Sequence, residues 1–125
     1  MKQKIAHYKQ MDIETRIAAA KPHELIKLLY AGALTAIAEA KGAMLRGQFE
    51  YKSRAITKAI SVITGLRDSL DQGLDHELPH SLDRLYSYMQ RRLLAANRHS
   101  DTAILDEVSA LLATIKSGWD GITQP

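Results

Sequence analysis

The sequence contains no cysteine. Disulfides and thiolate metal sites are therefore excluded, and a reducing compartment is the simplest expectation. Glycine is sparse, seven in 125 residues, and the glycines sit singly at breaks. No glycine-rich phosphate loop can be built from them. Neither sign of charge dominates. A net charge of +3 favours solubility without arguing for nucleic acid. No run of about 18 apolar residues occurs, so no membrane span is expected. The opening M-K-Q-K-I-A-H-Y-K-Q has no apolar core of the kind a signal peptide needs. These absences lead to the expectation of a cytoplasmic protein. The chain is 46% hydrophobic and 25% charged, an ordinary globular balance at the length of a single domain.

Helical periodicity is what the chain has in quantity. Over residues 22–44, Leu25, Leu29, Ala33, Ala36, Ala40 and Met44 recur every three or four positions, the period of a helix with one buried face. Leu28, Leu34 and Ile37 widen that stripe, so more than one neighbour must cover it. Pro22 suits a first helical position, Glu24 complements the positive first turn, and Gly47 suits a stop. A second helix is expected over about 50–70, from Ile56, Ile60, Ile63, Leu66 and Leu70. Its β-branched residues would allow a strand, but alternation is absent and the helical spacing persists. A third is expected over about 79–98, with Leu82, Leu85, Met89, Leu93 and Ala96 facing in and Tyr86 at the edge of the packed face. Ser100 or Asp101 can cap a fourth, which carries Ile104, Val108, Leu111, Leu112, Ile115 and Trp119. Residues 1–20 are polar with scattered apolar positions and read as an N-terminal strap or short helix, or a frayed tail. Short links make the helices antiparallel. The fold expected is all-α: an antiparallel up-down four-helix bundle over residues 21–125, with the strap before it.

Catalytic constellations were sought on this frame. A di-iron bundle needs paired Glu-x-x-His motifs. The single match, Glu77-Leu78-Pro79-His80, lies in a link with no second copy, so no metal and no cofactor are expected. A phosphotransfer bundle needs an accessible histidine. His23 is the nearest candidate, but helix-start chemistry explains its neighbours better. No Ser–His–Asp grouping can be assembled. Arg84, Arg91 and Arg98 are spaced by seven and, with Arg92, offer a basic face. Interspersed acids favour reading it as a solvated surface rather than a phosphate contact, so no nucleic acid is expected. What remains is a binding surface. The second and third helices carry wider apolar faces than a seam needs, as at Val62-Ile63 and Leu93-Leu94. Such excess suits a groove for a partner helix, or a broad core covered by the strap.

Several stretches resemble one family. P-H-E-L-I-K-L-L-Y-A-G-A is similar to the first-helix signature P-x-E-L-I/V-x-x-L-Y-D-G-A of the flagellin export chaperones, the FliS family. L-D-R-L-Y-S-Y-M-Q-R-R-L-L-A-A-N resembles that family's third helix, and L-D-E-V-S-A-L-L-A-T-I-K-S-G-W its fourth. Ile5-Ala6-His7-Tyr8 resembles an I-x-x-Y element. The likeness covers residues 5–122 with spacing kept. Ala31 stands in place of the usual aspartate, and Lys21 in place of a capping Ser or Thr, which costs about 1 kcal/mol.

The resemblance implies a non-enzymatic cytoplasmic chaperone. Such a protein holds the disordered C-terminal segment of flagellin in apolar grooves, prevents premature polymerisation, and engages the flagellar type III export gate. By the same likeness, the strap bearing Ile5 and Tyr8 covers a groove in the free protein and contributes to the gate contact. Periodicity assigns the groove to Ile56, Ile60 and Ile63 with Leu82, Leu85, Tyr86 and Met89. A monomer or weak homodimer is expected. The alternatives are a self-associating helical adaptor and a histidine phosphotransfer bundle.

Overall fold

A computed structural model of the chain describes residues 22–70 and 77–123. The expected strap, with Ile5 and Tyr8, lies outside the described residues. Four helices follow one another: α1 (Pro22–Leu45), α2 (Phe49–Ser69), α3 (Glu77–His99) and α4 (Thr102–Thr123). Each packs on its neighbour in sequence and α4 returns to α1, closing a four-membered ring. Cross-links between the start of one helix and the end of the next fix the antiparallel sense. Arg67 late in α2 meets Asp83 early in α3, and Lys41 late in α1 meets Asp106 early in α4.

The two tight turns use the same device. At the end of α1, Gln48 N–H donates to Ala43 O at 2.9 Å and Gly47 N–H to Met44 O at 3.2 Å. This is a Schellman closure, with Gly47 at φ 70° where a side chain would be strained. At the end of α3, Asp101 N–H donates to Ala96 O at 3.1 Å, and Ser100 takes the left-handed position at φ 48°. Asp101 is the cap of α4, its Oδ1 accepting from Ala103 N–H at 2.9 Å. Helix α3 starts at Glu77, two residues earlier than the sequence suggests. Pro79 thus falls inside the first turn, where backbone N–H groups have no intrahelical acceptor, and a proline there costs no hydrogen bond.

The core runs along the ring axis. Fully buried large side chains are Tyr30, Ile56, Ile63, Leu66, Tyr86, Met89, Leu93, Leu105, Val108 and Leu112, and each aliphatic among them contributes about 1.5–3 kcal/mol by leaving water. The α1–α2 contact is the most extensive, because it is lined by small residues. Ala33, Ala36, Ala40 and Ala43 of α1 and Ala55 and Ala59 of α2 are all at most 5% exposed, and Gly32 and Gly65 lie against Val62 and Leu29 of the opposite helix. By length and composition alone the His23–Leu45 segment, with mean hydropathy 1.2, would pass for a membrane span. Its apolar face is instead packed in the ring against α2 and α4.

Tyr86 departs from expectation. It is 2% exposed, inside the core rather than at its edge, where its hydroxyl shares a hydrogen bond with that of Tyr30. Two phenols that satisfy each other can be buried without an orphaned polar atom.

Candidate docking surface

The residues assigned to a groove separate into two groups. Ile56, Ile63, Tyr86 and Met89 are at most 2% exposed and belong to the interior. Ile60, Leu82 and Leu85 are half-buried and pack on that interior from outside. They have company. Ile26 and Leu29 at the start of α1, Leu34 at its middle, Val62 and Leu70 on and just after α2, and Leu111 at the middle of α4 with Ile115 and Trp119 further on are half-buried in the same way. In an antiparallel ring, the starts of α1 and α3 share one end with the finishes of α2 and α4. The bundle thus carries half-buried apolar side chains from mid-height to that end, while Leu45, Phe49 and Tyr51 stand exposed around the α1–α2 turn.

Polar groups frame this surface rather than converge in it. Arg67 donates to both carboxylate oxygens of Asp83, at 2.7 and 3.2 Å, and to Gln90 Oε1 at 3.0 Å. Gln90 in turn donates to Ile60 O at 3.1 Å and Thr64 Oγ1 at 3.0 Å. The guanidinium holds the Asp83 carboxyl below its usual range. Across α3 and α4, Glu107 accepts from Arg92 at 2.7 Å and from the Tyr88 hydroxyl at 2.8 Å. Both donors, Arg92 foremost, lower the Glu107 carboxyl, and that carboxylate in turn raises the Tyr88 phenol. In the interior, burial first and then the Tyr86 hydroxyl raise the Tyr30 phenol, while burial raises that of Tyr86.

Nothing here is arranged as a reaction centre. One depression, of about 420 Å³, opens to solvent between Thr35, Ala38, Glu39, Gly42, Arg46 and Tyr51. Small-molecule sites of that size are concave and enclose a few convergent polar groups. Among the described residues, no three His, Asp or Glu side chains are grouped to hold a metal ion. Sequence reasoning missed Lys52, Tyr30 and Leu105, all buried. Lys52 was legible in principle, because it continues the spacing of Ile56, Ala59, Ile63 and Leu66 one turn toward the start of α2.

The arrangement defines a class: a four-helix bundle with half-buried apolar side chains on its outside. Sequence comparison narrows the class. The family profile described as flagellar protein FliS matches residues 4–125. The flagellar secretion chaperone FliSB of Pseudomonas aeruginosa is 53% identical over 116 residues, covering 93% of this chain and 92% of that protein. The flagellar secretion chaperone FliS of Salmonella typhimurium is 38% identical over 95% of this chain and 89% of its own length. That of Bacillus subtilis is 34% identical over 90% and 80%. The chain belongs to the FliS family. It is a chaperone of flagellar secretion and not an enzyme.

Proposed function

We propose that this protein is a cytoplasmic export chaperone for flagellin. It holds the disordered C-terminal segment of flagellin on the bundle, blocks its polymerisation, and brings it to the flagellar type III export apparatus. The observation that carries this reading is the set of half-buried apolar side chains on the outside of α2 and α3, Ile60, Leu82 and Leu85. An amphipathic segment laid there hides its own apolar face and covers theirs. Ordering it costs conformational entropy, which a long interface offsets. Ile56, Ile63, Tyr86 and Met89 support this surface from beneath. The segment bearing Ile5 and Tyr8 contacts the export gate, and the chaperone acts as a monomer or weak homodimer.

Calorimetric titration with a peptide spanning the C-terminal segment of flagellin tests the reading. Saturable one-to-one binding with a dissociation constant of about 1 μM or tighter is expected, with a negative heat-capacity change. Leu82→Asp and Leu85→Asp, at half-buried positions, should weaken binding at least about tenfold while circular dichroism stays helical. No heat at several temperatures with the intact wild-type chain refutes the reading. Concentration-dependent mass without peptide binding would then favour the self-associating adaptor.

A further inference from the structure

Three arginines on the outside of α3 are not used by the fold. Arg84, Arg91 and Arg98 recur every seven residues and are all exposed, so they stand along one side of the helix. At 1.5 Å per residue the row extends about 21 Å. None of the three makes an ion pair among the described residues. Four acids of α3, α4 and the turn between them are committed elsewhere: Asp83 to Arg67, Glu107 to Arg92 and Tyr88, Asp106 to Lys41, and Asp101 to the cap of α4. Arg91 is tethered along the row by the Ser87 hydroxyl, which accepts from it at 2.8 Å. Between Arg91 and Arg98 stands Leu94, 57% exposed. Leu94 gives the arginine row one apolar point that a partner can cover.

We infer that this face of α3 docks an acidic amphipathic helix of a partner protein. The partner places carboxylates at seven-residue spacing against Arg84, Arg91 and Arg98, and an apolar side chain on Leu94. A helix crossing α3 at about 20° keeps the same side facing it through successive heptads, so equal spacing brings the two charge rows into register. Guanidinium and carboxylate then pair in bidentate fashion, which rewards geometry as well as charge. A nucleic-acid backbone also attracts arginines, but its phosphates offer nothing to Leu94. The tyrosine beside the row, Tyr88, is tied to Glu107 rather than presented for base stacking. The inference does not depend on the flagellin reading.

The test uses the full chain and a synthetic alanine-rich helical peptide with glutamates at seven-residue spacing and one leucine on the same side. Saturable binding is expected, weakening as salt rises. It should fall at least about tenfold with a scrambled peptide of equal composition, and likewise for the Arg84→Gln/Arg91→Gln/Arg98→Gln and Leu94→Gln proteins. A lysine version of the peptide should bind the Arg84→Glu/Arg91→Glu/Arg98→Glu protein in place of the wild type. All these positions are exposed, and circular dichroism checks that each variant stays helical. Absence of binding overturns the inference, as does equal binding of the scrambled peptide. So does tighter binding of a short DNA duplex, or binding unchanged in the variants. The flagellin titration is read separately, and its failure leaves this outcome standing.

Discussion

Lys52 is the one buried charged side chain among the described residues, 5% exposed, and no carboxylate answers it. Its ammonium donates to Asn97 O at 3.0 Å and Ser100 Oγ at 2.9 Å, and stands 5.3 Å from the centre of the Phe49 ring. Asn97 O is one of the last carbonyls of α3, so a cation from α2 caps the negative end of the third helix. Ser100 holds a left-handed φ of 48°, a conformation costing about 1 kcal/mol or more for a residue with a side chain. Its hydroxyl offsets that by accepting from Lys52. Lys52→Met keeps the apolar stem and removes the donors. It should destabilise by about 1.5–3 kcal/mol, read as a shifted urea midpoint at constant slope. Ser100→Gly relieves the strain but loses the acceptor, so its net effect should be small. The double variant should reveal coupling of at least about 0.5 kcal/mol. Additive effects would mean that the Lys52–Ser100 contact contributes nothing.

The α1–α2 hairpin is where small residues matter most, and two substitutions there should move stability in opposite directions. Ala59 is fully buried opposite the alanines of α1. Ala59→Leu forces the helices apart and should cost about 1–3 kcal/mol, visible as a thermal midpoint several degrees lower. At Gly65 an added Cβ would meet the Leu29 Cδ2 at 3.3 Å and its Cδ1 at 3.5 Å. Leu29 is half-buried and its tip can turn aside, while alanine is worth about 1 kcal/mol over glycine inside a helix. Gly65→Ala should therefore raise the midpoint, and a fall would show that Leu29 is locked in place. The helices were legible because the three-to-four spacing is sustained in each. The exact inward face was less so where apolar residues surround a helix. In α1 the stripe Leu25, Leu29, Ala33, Ala36, Ala40, Met44 competes with Tyr30, Ala33, Ile37, Ala40, Met44. Both pass through Ala33, Ala40 and Met44; packing buries Ala36 and Ile37 alike, puts Tyr30 inside, and leaves Leu25 and Leu29 half-buried. Ile104 and Leu105 pose the same ambiguity in α4, resolved by burying both.

Across the described residues, the ion-paired carboxylates sit on the outside of the ring and two hydrogen-bonded phenols sit within it, so acid and alkali should attack different places. The surface for a partner was only partly legible, because periodicity marks the inside of a helix and not its half-exposed shoulders. Ile56, Ile63, Tyr86 and Met89 are buried, whereas Ile60, Leu82 and Leu85, equally apolar and at the same three-to-four spacing, fall on the shoulders. On the acid side, Arg67 lowers Asp83, and Arg92 with Tyr88 lowers Glu107. A carboxyl depressed in the folded state contributes stability above its unfolded value, about 4, and loses it as pH falls through the folded value. The thermal midpoint should drop as pH decreases below about 4, and Asp83→Asn/Glu107→Gln should flatten that drop. On the alkaline side, burial raises both Tyr30 and Tyr86 above the ordinary 10.0. The folded chain then keeps protons that the unfolded chain releases, so stability is fully present below pH 10 and declines as pH rises beyond it. Tyr30→Phe/Tyr86→Phe removes both hydroxyls together, leaving no unpaired phenol in the core. The double variant should stay folded at neutral pH and lose less stability between about pH 10 and 11.5 than the wild type. Urea midpoints across that range measure it, and parallel declines in the two proteins would place the alkaline sensitivity outside this pair.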